Sequence, residues 1–265
     1  MQTNKLLILF ILNVFLFSSC DNNEIDNSSV MHDFRVQDVS YEKGSQLKLI
    51  SNRYCGEIWY PQSEYEYDNL GRISKVSHPM YANGSIAGVI GYEAYIYNTK
   101  NQLEEIEYYS NNIYTGFVVL QIHKYSYDKD GNIIKKVIEY PKIPQHLTDY
   151  NIYHYAKNRL TREDIYIDGT FIMYTEYEYN KQGNLVKEST YSTNDDTPLN
   201  YSVHSYKDGL NVKTEVFVYY NVIGKTNLRE IRRFYDNNDN LIYLESQELS
   251  IASSTMGYAS KYEYF

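Results

Sequence analysis

Alternation of apolar and polar residues runs through most of this chain, and short turn signals interrupt it at regular intervals. Segments 64–67, 124–127 and 176–179 alternate strictly between a polar residue and tyrosine, which is the period of a strand with two different faces. No segment beyond the first 20 residues keeps the 3.6-residue apolar period of a helix. The pattern therefore predicts an all-β fold with almost no helix after the N-terminal segment.

One phrase recurs along the chain, with the form Tyr-x-Tyr-Asp-x-x-Gly-Asn-Leu. Its best copies begin at Tyr65, Tyr125 and Tyr177, and weaker copies lie between and after them. The second aromatic residue of the copies stands at positions 67, 97, 127, 155, 179, 206, 235 and 264. These positions are separated by 24 to 30 residues. A nearly constant spacing of this size indicates a repeat architecture.

Each copy of the phrase predicts a β-hairpin. Two aromatic residues two positions apart leave the same face of a strand, and the aspartate that follows accepts a backbone hydrogen bond in a type I turn. The glycine then begins the return strand in a left-handed conformation, as in a three-residue loop with a bulge. The structural turn residues predicted in this way are Asp68, Gly71, Asp128, Gly131, Gly183 and Asp236.

Other copies depart from the phrase at the glycine position. Asn101, Asn158 and Asp239 stand at or near it, and these residue types tolerate positive φ best after glycine. The copy at Tyr155 is one residue short, which predicts a two-residue loop. The copy at Tyr206 has its glycine one place earlier, which predicts a different turn type.

Two strands per repeat give an antiparallel up-and-down meander of about 14–16 strands. A sheet of this width curls because its strands twist, and we expect a curled or barrel-like sheet. A closed barrel, an open half-shell and two packed layers all remain compatible with the pattern. Longer polar connections are predicted at the end opposite the tight turns, at 78–86, 110–115, 141–149, 192–199 and 224–227.

The N-terminus is a targeting segment. Lys5 precedes an apolar run over 6–17, which is too short to span a bilayer, and small residues lead to Cys20. This ending resembles a bacterial lipoprotein box, which implies lipidation of Cys20. The predicted organisation is a signal peptide over 1–19, a lipidated cysteine and flexible acidic tether over 20–33, and a single β domain over 34–265.

The acidic residues after Cys20 resemble the surface-export signal of Bacteroidota lipoproteins. The resemblance implies a lipid-anchored protein of the outer membrane that faces the cell surface, with the periplasmic face as the alternative. Strands such as 104–109 and 228–234 place charges on both faces, so we expect contact with the membrane through the anchor only.

The hairpin phrase resembles the YD repeats of Rhs-type proteins, on residues 65–73, 125–133 and 177–185. Rhs repeats are shorter and more numerous, and a cargo domain follows them. The whole chain is similar to uncharacterised tyrosine-rich lipoproteins of Bacteroidota, one family of which has a porin-like fold and no known function. This resemblance implies a barrel-like shape and an envelope location, and it implies no catalytic residue.

Charge and motifs narrow the function. The net charge of −9 disfavours nucleic acid, which attracts basic surfaces. The sequence has no nucleophile elbow, phosphate loop or zinc-protease motif, and its six histidines have no metal-ligand spacing. We expect no cofactor, no metal site and no catalytic residue, with a glycoside hydrolase as the least favoured alternative.

Tyrosine is the one residue type in surplus, with 32 copies. Its flat apolar ring and polar hydroxyl suit sugar rings and extended peptides. We therefore expect a non-enzymatic surface module that binds a glycan or a protein through a tyrosine-rich sheet. The alternative is a structural or assembly component of the envelope that docks a protein partner. The candidate binding residues, in or beside the longer loops, are Trp59, Tyr81, Tyr92, Tyr108, Tyr109 and Tyr114.

Overall fold

The protein is described here by a computed structural model that covers residues 42, 44–53, 60–82, 85–112, 114–143, 148–220, 224–248 and 257–265. Over these ranges it is an all-β fold, and none of their residues forms a helix long and apolar enough to cross a bilayer. The lipidation residue Cys20 and the segments over 1–19 and 20–33 lie outside the described residues. The strands are β1 (Leu47–Arg53), β2 (Tyr60–Tyr67), β3 (Ile73–Ala82), β4 (Ser85–Tyr97), β5 (Leu103–Asn112), β6 (Gly116–Tyr127), β7 (Ile133–Glu139), β8 (Asp149–Ala156), β9 (Arg159–Ile167), β10 (Thr170–Tyr179), β11 (Leu185–Ser192), β12 (Asn200–Lys207), β13 (Leu210–Tyr220), β14 (Gly224–Tyr235), β15 (Leu241–Glu248) and β16 (Gly257–Tyr264).

The sixteen described strands form one closed barrel. Each strand pairs antiparallel with its neighbours in sequence, and β1 pairs with β16 so that Ile50 lies opposite Tyr262. The predicted barrel-like meander is confirmed, and the half-shell and the two-layer alternatives are wrong. Because β1 and β16 pair with each other, neither offers a free edge for adding a strand from a partner protein.

The strand register advances by the same amount in every repeat. Tyr65 lies opposite Val76, Val76 lies opposite Glu93, and the equivalent tyrosine of the next repeat, Tyr95, comes two residues later. The step of two residues recurs at all eight hairpins, which gives a total shear of 16. A circular barrel with equal strand number and shear has a strand tilt of about 36° and is roughly 30 Å across between opposite backbones.

The tight turns have the geometry that the repeated phrase predicts. The Asp68 carboxylate accepts hydrogen bonds from the backbone N–H groups of Leu70 (2.8 Å) and Arg72 (3.0 Å), and Gly71 has a φ of 76°. The same carboxylate contacts recur at Asp128 and Asp236, and the glycines of the other copies, Gly131 and Gly183, have φ values of 87° and 92°. A register shift next to each turn marks the bulge.

The variant turns also agree with the sequence. Asn101, Asn158 and Asp239 have φ values of 62°, 58° and 67°. Lys157 and Asn158 both have positive φ, which is the signature of a two-residue type I′ loop. Asp208 and Gly209 form the second such loop, as expected from the displaced glycine.

At the opposite end of the barrel, the strand bounds agree with the predicted connections at 141–149 and 192–199. At 78–86, 110–115 and 224–227 the strands extend further than predicted. The segment 78–86 is mostly strand, because β3 continues to Ala82 and β4 begins at Ser85. Pro79, which has no N–H to donate, is accommodated at a register shift between His78 and Pro79. Asp168 and Gly169 form a tight turn with φ values of 50° and 73° at this same end, where the pattern had indicated longer loops.

The two faces of the barrel wall differ in their contacts. Burial and then the charge of Glu93 on β4 raise the pKa of Tyr65 on β2, so side chains two strands apart lie close on this face. Such convergence occurs on the concave side of a sheet, so this is the lumen face. The other face carries solvent-exposed ion pairs, such as Lys187 with Glu178, whose side chain is 60% exposed, and this is the outer face.

The barrel has no extensive apolar core. Among the described residues, the buried apolar side chains are Val76, Ile106, Tyr201, Ile242, Tyr243 and Ala259. Most other strand residues are half-buried, as expected when a wall of one layer separates two solvated spaces. Barrels of this strand number characteristically enclose an aqueous lumen.

Candidate functional site

The first aromatic position of every repeat lies on the lumen face. These positions occur on the eight even-numbered strands, at the same place relative to the tight turns, and we call them the lumen ring. Six of the eight are tyrosines, and the remaining two carry basic side chains. The lumen ring consists of Tyr65, Tyr95, Tyr125, Tyr153, Tyr177, His204, Arg233 and Tyr262.

Neighbouring members of the lumen ring interact electrostatically across the intervening strand. Burial raises the pKa of Tyr262 most, and Tyr258, Arg233 and Tyr65 modify it further. Burial also dominates the raised pKa of Tyr125. These hydroxyls therefore stay protonated at physiological pH and remain available as hydrogen-bond donors.

Glu93 forms the first of three polar centres beside the lumen ring. Tyr95 donates its hydroxyl to Glu93 Oε2 at 2.6 Å, and His78 Nε2 lies 3.4 Å from Glu93 Oε1. The contact with His78 lowers the pKa of the Glu93 carboxyl and raises the pKa of the His78 imidazole. Glu93 is accordingly ionised and already provided with donors by the barrel itself.

Glu163 forms the second polar centre, on β9. Tyr177 donates its hydroxyl to Glu163 Oε2 at 3.0 Å, and Asn151 donates its side-chain amide to Oε1. Burial and the charge of Glu163 raise the pKa of both Tyr177 and Tyr153. This carboxylate is likewise bonded to groups of the wall.

Glu188 and His204 form the third polar centre. His204 Nε2 lies 2.9 Å from Glu188 Oε1, while His204 Nδ1 lies 3.0 Å from Thr214 Oγ1 and 3.3 Å from Asn211 Nδ2. Because the Asn211 amide nitrogen is a donor, Nδ1 accepts and Nε2 carries the proton that is donated to Glu188. Arg233 completes the network through Asn211 and Thr214.

His123 lies beside the lumen ring with its imidazole against an aromatic ring. Its ring centroid is 4.4 Å from that of Tyr108, and its Nε2 lies 3.3 Å from the Gln121 side-chain oxygen. Burial and then the charge of Lys136 lower the pKa of His123 to about 4. His123 is therefore neutral at physiological pH.

The second aromatic of the phrase has a different task from the first. Five of these tyrosines donate their hydroxyls to a backbone carbonyl on the preceding strand, near the place where that strand leaves its own tight turn. The bonds are Tyr67 to Leu47 (2.7 Å), Tyr97 to Ile73 (2.8 Å), Tyr127 to Leu103 (2.7 Å), Tyr235 to Asn211 (2.9 Å) and Tyr264 to Leu241 (2.8 Å). They join consecutive hairpins at the end where no loop connects them.

The candidate residues chosen from the sequence do not form one surface. Tyr92 and Tyr109 stack on the outer face with ring centroids 4.4 Å apart, whereas Tyr108 faces the lumen. All three lie within strands and not in loops, because β4 and β5 are longer than predicted. Tyr114, in the connection between β5 and β6, is 88% exposed. Tyr81 lies near the end of β3, and Trp59 lies outside the described residues.

The lumen ring is the site that the sequence pattern did not single out. Its signal was present, because the first tyrosine of each phrase has a fixed distance to the turn. Tyrosines also stack on the outer face, as Tyr174 does with Tyr191 (5.0 Å), so composition alone did not separate the two faces. Within the described part of the chain, no group of three or more metal-ligating side chains converges.

Comparison with known proteins shows which solved structures have a similar fold. No protein-family model matches the chain, and no curated protein matches it. A porin-like protein from Bacteroides uniformis ATCC 8492 has a similar structure, with a TM-score of 0.56, 9% sequence identity, and coverage of 85% of this chain and 99% of that one. A porin-like protein from Bacteroides vulgatus ATCC 8482 aligns over 83% of this chain and 99% of that one at 12% identity, with a TM-score of 0.37 that supports no argument.

The chain is thus a β-barrel protein with a porin-like fold. At 9% identity the likeness to the Bacteroides uniformis protein establishes the fold alone.

Proposed function

We propose that this protein is an envelope lipoprotein, anchored through Cys20, that binds an oligosaccharide in its barrel without transforming it. The observation that carries the proposal is the lumen ring, in which six tyrosines and two basic residues surround one level of a hydrated interior. A tyrosine offers a flat apolar surface for the C–H face of a sugar and a hydroxyl for its polar edge.

The polar centre at Glu93 supports binding over catalysis. A glycosidase of the common type needs one carboxyl with a raised pKa to act as a general acid. The carboxyl of Glu93 has a lowered pKa and is bonded to His78 and Tyr95. Such a carboxyl group stays ionised and has no proton to donate to a leaving group.

The outer face supports a barrel that is attached to the membrane by a lipid over a barrel that spans the membrane. A spanning barrel presents an apolar band about 25 Å tall to the lipid. Here the outer face carries ion pairs on several strands, including Lys75 with Glu66 and Lys124 with Glu139. Burying these charges in hydrocarbon is costly, so we place the barrel in water beside the membrane.

The test is a thermal-shift and calorimetric screen of the lipid-free protein from residue 21 onward against defined oligosaccharides. A ligand present at 100 times its dissociation constant adds about 2.7 kcal/mol to the free energy of unfolding, which raises Tm by a few degrees. The lumen variant Tyr125→Ala should weaken binding by about tenfold or more, since one stacking platform is lost.

Tyr191→Ala on the outer face is the matched control and should bind as the wild type does. Equal weakening by Tyr125→Ala and Tyr191→Ala would contradict a lumen site. A screen without any stabilising sugar would overturn the proposed function.

A further inference from the structure

The charges of the lumen face are not balanced by one another. Its three carboxylates next to the lumen ring, Glu93, Glu163 and Glu188, already accept from tyrosine, asparagine or histidine side chains. The two permanent cations at the same level, Arg233 and Lys136, have no carboxylate partner among the described residues. At this level of the lumen, the three carboxylates already accept hydrogen bonds, whereas Arg233 and Lys136 lack a carboxylate partner within the described ranges.

Arg233 is fixed in position without being neutralised. Its Nη1 donates to Asn211 Oδ1 at 3.1 Å and to Thr214 Oγ1 at 2.8 Å, and both partners are uncharged. The Nε–H and Nη2–H groups of the guanidinium remain for a further acceptor. A guanidinium held in this way is preorganised for bidentate contact with a carboxylate.

Lys136 occupies the corresponding level on β7. It lies opposite Tyr125 of the lumen ring on one side and opposite Asn151 on the other. Burial is the main cause of the lowered pKa of His123, and the charge of Lys136 is the second cause. The cross-strand neighbours of Lys136, which are Tyr125 and Asn151, are both uncharged, so neither adjacent strand supplies a carboxylate directly opposite it.

Several cations of the outer face, unlike Arg233 and Lys136, form ion pairs with carboxylates. On the outer face, five lysines each lie within 3.0 Å of a glutamate. They are Lys75, Lys124, Lys187, Lys213 and Lys261. These five outer-face lysines are thus paired with glutamates of the chain, whereas Arg233 and Lys136 are not paired with any carboxylate of the described residues.

From this contrast we infer that the ligand is an acidic oligosaccharide whose uronate carboxylates bind Arg233 and Lys136. β7 and β14 are seven strands apart in a ring of sixteen, so the two cations stand nearly opposite each other. Ring tyrosines fill the intervals between them on both sides. A chain of sugar acids thus meets a cation on either side of the lumen and aromatic platforms in between. The inference rests on the proposed function and makes its ligand specific.

The experiment compares hexagalacturonate with its methyl ester by calorimetry on the protein from residue 21 onward. The two probes have the same sugar backbone and differ in charge. We expect the acid to bind at least about tenfold more tightly than the ester, and with an affinity that falls as salt is added. Equal affinity for acid and ester would overturn the inference.

Variants assign the effect to the two cations. Arg233→Gln and Lys136→Gln should each weaken binding of the acid by about tenfold more than they weaken binding of the ester. Lys124→Gln, which removes an outer-face cation, is the control and should have no effect. Arg233→Lys keeps the charge and, provided Tm is retained, should recover part of the affinity. Unchanged binding of the acid by both glutamine variants would also overturn the inference.

A neutral probe, xylohexaose, distinguishes failure of the acidic-ligand inference from failure of the proposed function. If xylohexaose binds, loses affinity in Tyr125→Ala and is preferred over the acid, the proposed function holds and the acidic ligand is wrong. If acid, ester and xylohexaose all fail to bind, together with the rest of the sugar screen, the proposed function itself is wrong.

Discussion

Two tyrosines placed two residues apart do different work in this barrel, although they leave the same face of the same strand. The first, such as Tyr125, stands in the lumen ring, and the second, such as Tyr127, bonds to a carbonyl of the neighbouring hairpin. The phenol is large enough to reach across one strand spacing and has the donor that a strand-end carbonyl needs. The high tyrosine content is thus explained in part by structure and in part by the proposed site.

Removing the hydroxyl of Tyr127 tests its structural role. Tyr127→Phe deletes the 2.7 Å bond to the Leu103 carbonyl and should lower the free energy of unfolding by about 1 kcal/mol, measured by urea denaturation. Tyr191→Phe, in a ring stack on the outer face, is the control. Equal stability of the wild type and Tyr127→Phe would show that water replaces the bond at no cost.

His123 should make stability depend on pH. Its folded-state pKa of about 4 lies below the ordinary value of 6.5, so the unfolded state binds more protons between these values. The His123 contribution to stability is therefore complete above pH 6.5 and is lost as the pH falls through this window toward 4. His123→Gln should lose less stability than the wild type between pH 6.5 and pH 4, as measured by denaturation at each pH. Parallel curves for the two proteins would contradict the assignment.

At the scale of the hairpin, local chemistry decided what could be predicted. The turns at Asp68 and Gly71 depend on residues within one loop, so the phrase alone was sufficient to predict them. At the opposite end the pattern failed at Pro79, because β3 continues through a residue that cannot donate to the ladder and is accommodated at a register shift. Which face of each strand points inward depends on closure of the whole sheet. The repeated first tyrosines were visible in the sequence, but their position in the lumen could not be assigned before that closure was known.

Substitutions in the turns should change stability in opposite directions. Gly131→Ala places a side chain at a φ of 87° and should lower the free energy of unfolding by about 1 kcal/mol. Asn158→Gly relaxes a left-handed residue of a type I′ loop, and we expect a gain of a few tenths of a kcal/mol, at most about 1. Urea denaturation of both variants measures the difference, and the same sign for both would contradict the turn assignments.

At the scale of the whole molecule, a continuous hydrogen-bond ladder takes the place of a thick apolar core. Every described strand has two partners, including β1 and β16, which are farthest apart in sequence. The stability of the barrel thus depends on closure, because an open sheet would expose two edges of unpaired backbone groups.

Hydrogen exchange tests this closure directly. In the closed barrel the paired amides of β1 and β16 should be protected to a degree similar to those of a central strand such as β9, since all three are bonded on both sides. Mass spectrometry on peptides from the three strands measures the protection. Fast exchange confined to β1 and β16 would indicate an open sheet and contradict the β1–β16 pairing.

The uniform advance of two residues per hairpin has an evolutionary consequence. Loss or duplication of one repeat of about 30 residues changes strand number and shear together, so their ratio and the strand tilt stay the same. A genetic event of this size would alter the bore of the barrel in discrete increments and leave each interface between hairpins chemically unchanged. Barrels that descend from one ancestral hairpin would then differ in the width of the molecules that fit inside them. This difference would arise before selection had acted on any individual lumen side chain.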